Sequence, residues 1–255
     1  MTFPKYGERA QYLIQKFLIL IEAIMKLPLN AICVAASICC VFPSYAAADS
    51  LKDPINPMPW SFGVTAGTLG VGAEVSFPIY GDFVFRVNGS YIDLDSGWFI
   101  SSFDHYHFNA TGTFAGGILD YHPFGNGWRG SVGVRYVDVE LKGVAANGIQ
   151  FDGSWYSTSE VGKVTATVHN SNPVAPYLGF GYDATVYSSD NWGLNLGFDL
   201  GAMYIGEPNV SVKTAITPPY PNFASDVAAG TATIKDHIRN FDFYPVGMFS
   251  ARLDF

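Results

Sequence analysis

The sequence predicts an all-β protein, an eight-stranded antiparallel up-and-down transmembrane β-barrel with a short helix in its last long loop. Three observations carry the prediction. The chain ends in a period-two strand, FDFYPVGMFSARLDF, with Phe249, Ala251, Leu253 and Phe255 on one face and Ser250, Arg252 and Asp254 on the other. Such alternation, closed by a terminal aromatic, suits a strand between lipid and a polar lumen. Charged residues make up only 14 % of the chain while hydrophobic residues make up 49 % and aromatics 16 %, a balance unusual for a soluble domain. Finally, no run of about 18 apolar residues follows Ala48, so helical spans are excluded there and a lipid-facing sheet is left.

The chain divides into a leader, 1–48, and a barrel, 49–255. From Met25 it reads MKLPLNAICVAASICCVFPSYAAAD, one Lys, an apolar stretch and then small residues, which is the anatomy of a secretory signal peptide. Cleavage is expected near 46–48, and residues 1–24 read as an extension upstream of the true start at Met25. Cys33, Cys39 and Cys40 all lie in this leader, so the exported chain has no disulfide and no cysteine-based metal or nucleophile chemistry. From Asp49 onward the chain carries 20 acidic and 10 basic residues, and that excess disfavours nucleic acid as a partner.

Trp60–Thr68 places Phe62, Val64 and Ala66 on one face, and Gly70–Ile79 places Val71, Ala73, Val75 and Phe77 outward with Glu74 and Ser76 inward. The apolar set changes parity at Thr68/Leu69, as a turn or a bulge would make it do, and a tight turn at Gly67–Gly70 gives the even strand count. Asp82–Leu94 puts Phe83, Phe85, Val87 and Tyr91 out and Arg86, Asn88 and Ser90 in. His105–Tyr121 reads with Tyr106, Phe108, Ala110 and Phe114 outward and His105, His107, Asn109, Thr111 and Thr113 inward. Trp128–Lys142, Val161–Tyr182, Trp192–Thr217 and the terminal strand complete the eight. Phe223–Arg239 lacks the two-residue period and is the helix, with Asn222 or Ser225 as its cap.

Joints at 80–82, 124–127 and 183–191 are short, whereas those at 95–104, 143–160 and 218–240 are long. Short periplasmic turns and long external loops put both termini in the periplasm. Trp60, Trp128 and Trp192 then open strands at one level, as an aromatic girdle in the headgroup layer does. Glu74, Arg86, Arg135, Lys163, Asp199 and Arg252 are expected in the lumen, pairing there because an eight-stranded interior is barely wide enough to be filled by side chains. His105 and His107, with Asp104 or His169, could in principle hold a metal, but two polar residues filling a wet barrel rim explain them better. Ser101, Ser102, Asp104 and His105 contain the elements of a hydrolase site with no motif spacing to mark one, so no catalytic residue, metal or cofactor is assigned.

These residues resemble the small eight-stranded barrels of the Gram-negative outer membrane, such as the outer membrane protein A transmembrane domain and the opacity proteins. A proteobacterial group of such barrels is similar in its Gly67–Gly72 opening strand (GTLGVG), the Tyr121–Phe124 turn (YHPF), Ala175–Gly181 (APYLGFG), Gly206–Pro208 and Tyr244–Val246. The resemblance implies residence in the outer membrane among its lipids, and a monomer is the expected state. It also implies insertion by the barrel assembly machinery, reading a last strand that includes Phe249, Leu253 and Phe255. It implies no settled activity. A structural or surface-interaction role with a narrow or closed lumen is the expectation, with a conduit for small apolar molecules and a lipid-modifying enzyme as alternatives.

Overall fold

The computed structural model describes residues 60–95, 106–124, 126–145, 149–151, 154–189, 191–239 and 241–255. The leader, its cleavage site and the loop bearing Ser101, Ser102, Asp104 and His105 lie outside them. Eight strands close into an antiparallel barrel: β1 Ser61–Gly67, β2 Gly70–Tyr80, β3 Phe83–Asp95, β4 Tyr106–Tyr121, β5 Trp128–Ala145, β9 Val174–Ser188, β10 Gly193–Tyr204 and β12 Phe243–Asp254. Closure runs from β5 to β9, from β9 to β10, and through β12 back to β1. The parity change at Thr68/Leu69 is a two-residue turn, with Gly67 paired to Gly70 across it. Gly70 has φ +85° and faces the Tyr91 carbonyl so closely that a Cβ there would lie 2.0 Å from that oxygen, so glycine is demanded twice over.

Two segments expected as single strands are each broken. Val161–Tyr182 becomes β8 (Val164–His169) and β9, and Trp192–Thr217 becomes β10 and β11 (Asn209–Thr214). β8 pairs with the far end of β5 and β11 with β8, so the three strands form a flap beyond the barrel proper. The interruptions at 170–173 and 205–208 stand opposite each other, tied by the Asn172 amide donating to the Ile205 carbonyl at 3.1 Å. A β6–β7 hairpin (Ile149–Phe151, Ser154–Tyr156), a turn of helix α1 (Thr158–Val161) and helix α2 (Phe223–Ile238) complete this lobe. Tyr156, Val161, Val164 and Phe223 form its small core. Asn222 is the N-cap residue of α2 but makes no side-chain cap bond; Ser225 instead donates to the Asn222 carbonyl.

The outer wall is apolar between two aromatic levels. Trp60, Phe83, Tyr121, Trp128 and Trp192 stand exposed at the short-turn end, and Tyr91, Tyr136, Tyr204 and Phe243 toward the long loops. Tyr136 lies eight positions beyond Trp128 on β5, roughly 20 Å of barrel height at the usual rise and tilt, the scale of a bilayer's apolar band. Past the upper ring the pattern inverts. Asp93 and Asp95 are exposed while Ile92 and Leu94 turn inward, and on β5 Val137 is fully buried.

This inversion corrects the reading of β4. Phe114, expected on the lipid face, is 1 % exposed in the interior, and Thr113, expected inward, is exposed. Polar-inside holds only where the outside is lipid; above that level the wall faces water and its inner face packs. The backbone of His107 pairs with that of Val144, and the rim expected of the His107 side chain lies outside what the structure describes. Lys163 is not a lumen residue: it precedes β8 in the flap and is exposed.

Candidate functional site: the barrel interior

Alternation sends Glu74 of β2, Arg86 of β3, Asp120 of β4, Arg129 and Arg135 of β5, Asp183 of β9, Asp199 of β10 and Arg252 of β12 inward. All are buried but Asp183, which is half-buried near the short-turn end. Arg86 donates to both carboxylate oxygens of Asp199, at 2.7 and 2.9 Å. β3 and β10 lie four strands apart in either direction around the closed barrel, so this pair crosses the lumen. The same guanidinium reaches its flanking strands, Nη1 to Glu74 at 3.2 Å and Nε to Asp120 at 3.0 Å.

Around that crossing runs a ring of alternating charge. Glu74 meets Arg86, Arg86 meets Asp120, Asp120 meets Arg129, Arg129 meets Asp183, Asp183 meets Arg252, and Arg252 returns to Glu74 at 3.2 Å. Asp199 sits within the ring, bound by Arg86 and also by Arg129 at 2.9 Å. Ser131 donates to Asp120 at 2.5 Å. Arg129 contacts three carboxylates through charge and proximity without well-aligned hydrogen bonds. Burying such ions is costly unless each finds a counter-charge, and the ring provides one to every member.

Arg135, six residues along β5 from Arg129, is built differently. It is 3 % exposed, donates to Asn88 Oδ1 at 2.7 Å, and lies 4.9 Å from the Tyr177 ring centroid. It has no carboxylate partner among the described residues. On its long-loop side begins an apolar tier of Leu69, Phe114, Ile118, Val137, Ala175, Tyr177, Met203, Val246 and Met248. Leu69 reaches this tier from the β1–β2 turn and is fully buried there. Its amide lies 3.4 Å from Met248 Sδ, while the Thr68 hydroxyl accepts from Gly247 N–H and donates to the Pro245 carbonyl. Thr68 thereby serves the β12 edge that β1 is too short to pair.

Of the charges named from sequence, the interior brings together Glu74, Arg86, Asp199 and Arg252, and sets Arg135 apart. Asp120, Arg129 and Asp183 were missed, although parity marks two of them: Arg129 shares its face with Arg135, and Asp183 with Gly181 and Tyr177. Asp120 was hidden by the β4 phase. Trp60, Trp128 and Trp192 stand at one end of the barrel, packed on Phe77, Tyr182 and Tyr187 respectively, with ring centroids 4.6–5.1 Å apart. Phe249, Leu253 and Phe255 are on the outer wall. No group of three or more His, Cys, Asp or Glu side chains placed to hold a metal occurs among the described residues.

In the lobe, Glu160 holds the start of α1 through half of a capping box: the Ser157 amide and hydroxyl donate to Glu160 Oε2 at 2.9 and 2.8 Å, and Tyr220 donates to Oε1 at 2.8 Å. The Ser157 bonds, then that of Tyr220, hold the Glu160 carboxyl below its usual range. Tyr156 donates to Asp226 at 2.7 Å.

No family model and no curated protein matches this chain. Among solved structures it is similar to CarO of Acinetobacter baumannii, at 18 % identity and a TM-score of 0.52 over 80 % of this chain and 100 % of that one. CarO2 of the same organism matches at 20 % identity and a TM-score of 0.51, over 76 % of this chain and 97 % of that one. Together with the closed antiparallel sheet, these likenesses identify the fold as that of the small eight-stranded outer-membrane β-barrels.

Proposed function

We propose that the protein is an integral outer-membrane barrel with a closed lumen, reached by secretory export and barrel assembly, whose role is structural or surface-interacting through its long-loop lobe. The observation that carries the reading is the Arg86–Asp199 pair, which crosses the interior with the charge ring closed around it. An open water column would not leave these side chains 1 % and 3 % exposed. A conduit for apolar molecules is disfavoured by the same ring, since an apolar solute gains nothing that offsets breaking desolvated ion pairs. The lobe presents loops, a helix and a polar outer sheet face to the medium, the arrangement of a contact surface on a rigid scaffold. No catalytic chemistry is assigned.

The test is planar-bilayer recording of the purified, heat-modifiable barrel. The expected result is no stable conductance; a persistent nanosiemens pore would overturn the closed-lumen reading. Binding to envelope or host-surface components lost on replacing the lobe loops, with the barrel still folded, is the outcome expected for the surface role. Unchanged binding would remove it.

A further inference from the structure

Above the upper aromatic ring the barrel is taller on one side than on the other. β2 stops pairing with β3 at Val71 and Tyr91. β3, β4 and β5 rise past that level, and the flap strands β8 and β11 extend the same sheet. We propose that the outer face of this tall side docks the headgroup of a glycolipid, a phosphorylated saccharide standing over the acyl chains that coat the wall below. The inference rests on the outer-membrane reading above and gives the polar sheet face its occupant.

Register lays this face out in straight rows. Asp93, Thr111, Glu140, His169 and Asn209 are direct partners in turn across all five strands. Asp95, Asn109, Lys142, Thr167 and Ser211 form the next row up. Each of these side chains donates or accepts hydrogen bonds, and the intervals between the strands make the face about 19 Å wide. The lobe leaves it bare: its core takes Val164 and Val212 from the opposite face of the flap, together with Phe223 of α2.

What stands against the face follows from what lies beneath it. The same strands carry exposed Tyr91, Val134 and Tyr136 lower down, so lipids packed there bring their headgroups up against the polar rows. Height selects the kind of headgroup. Glu140 and Lys142 lie four and six positions beyond Tyr136 on β5, about 10 and 15 Å higher at the usual rise and tilt. A phospholipid interface is only about 5–7 Å deep and reaches neither row, whereas a saccharide headgroup reaches both. Charge is sorted across the face. Asp93 and Asp95 lie at the β3 side as acceptors for sugar hydroxyls, and Glu140 in the middle is paired with Lys142. Lys163 and Lys213, exposed and without an ion pair among the described residues, mark the flap side as the place for phosphate.

The face is tested on the exported barrel in vesicles. No cysteine follows Cys40, so Thr167→Cys carries a single spin label. In vesicles of lipopolysaccharide and phospholipid that label is expected to lose mobility severalfold relative to phosphatidylcholine alone. A label at Ala228→Cys, exposed on α2 on the other side of the flap, is expected to keep its mobility. Lys163→Ser/Lys213→Ser should retain severalfold less lipopolysaccharide per barrel after gel filtration, with heat modification unchanged. A Thr167→Cys label indifferent to lipopolysaccharide, equal loss of mobility at both labels, or retention unchanged in the lysine variant overturns the proposal. So does immobilisation in phosphatidylcholine that grows with barrel concentration, which would give the face to a second copy. None of these readouts is a conductance or involves the lobe loops, so a failure of the closed lumen or of the surface role would leave this contact standing, and the reverse.

Discussion

Arg86 occupies the point where the interior is least tolerant of change. Its guanidinium contacts carboxylates from three strands, and at 1 % exposure no water replaces them. Arg86→Met keeps the volume but leaves Glu74, Asp120 and Asp199 with fewer counter-charges. Removing one partner from a buried ion pair typically costs about 3–5 kcal/mol. A fall of that order is expected in denaturant titration of the refolded barrel, larger than for Arg135→Met, which strands no carboxylate. Equal losses would mean that the ring contributes no more than ordinary packing. In the lobe, Glu160 gives a pH-dependent counterpart. Its carboxyl is held low in the folded state, so its contribution is fully present above the unfolded carboxylate range and is lost as pH falls through the lower, folded value. Protection factors of the amides at Ser157–Val161, which correct for the intrinsic slowing of exchange in acid, should therefore fall as pH drops below the ordinary carboxylate range. In Glu160→Gln that pH step should vanish. An identical step in both forms would assign it to another group.

Among the elements, β12 is the strand on which closure depends, pairing with β10 along twelve positions and with β1 along seven. The residue that follows it still takes part, the Phe255 amide donating to the Trp60 carbonyl at 3.0 Å. Deleting Phe255 is expected to lower the yield of heat-modifiable barrel in the outer membrane severalfold while refolding in detergent changes little. A normal membrane yield would remove the terminus from the assembly signal. This strand was legible because its outer face is lipid along its whole paired length. β4 was not, since its polar odd positions Asn109, Thr111 and Thr113 lie at or above the aromatic ring, where the outer wall meets water. β8 and β11 were merged with their neighbours for a related reason: period two continues through the breaks, and only the loss of pairing at 170–173 and 205–208 separates flap from barrel. Helix α2 was legible because its lack of that period is itself a signal, whereas its cap was not, Asn222 using no side-chain bond.

For the molecule as a whole, strand number and closure follow from local alternation and loop length, which is why they could be read from the chain. The charge ring could not, because its members lie as far apart as Glu74 and Arg252 and meet only once the sheet has curled shut. The same fact gives the ring a second role. Glu74, Arg86, Asp120, Arg129, Asp183 and Arg252 come from six different strands, each at the one register that points it inward. A slip of a single residue in any of them would turn a bare charge into hydrocarbon. The ring thus works as a checksum on assembly: a mispaired barrel fails it at once, and only the correctly threaded one can keep all six charges out of the lipid.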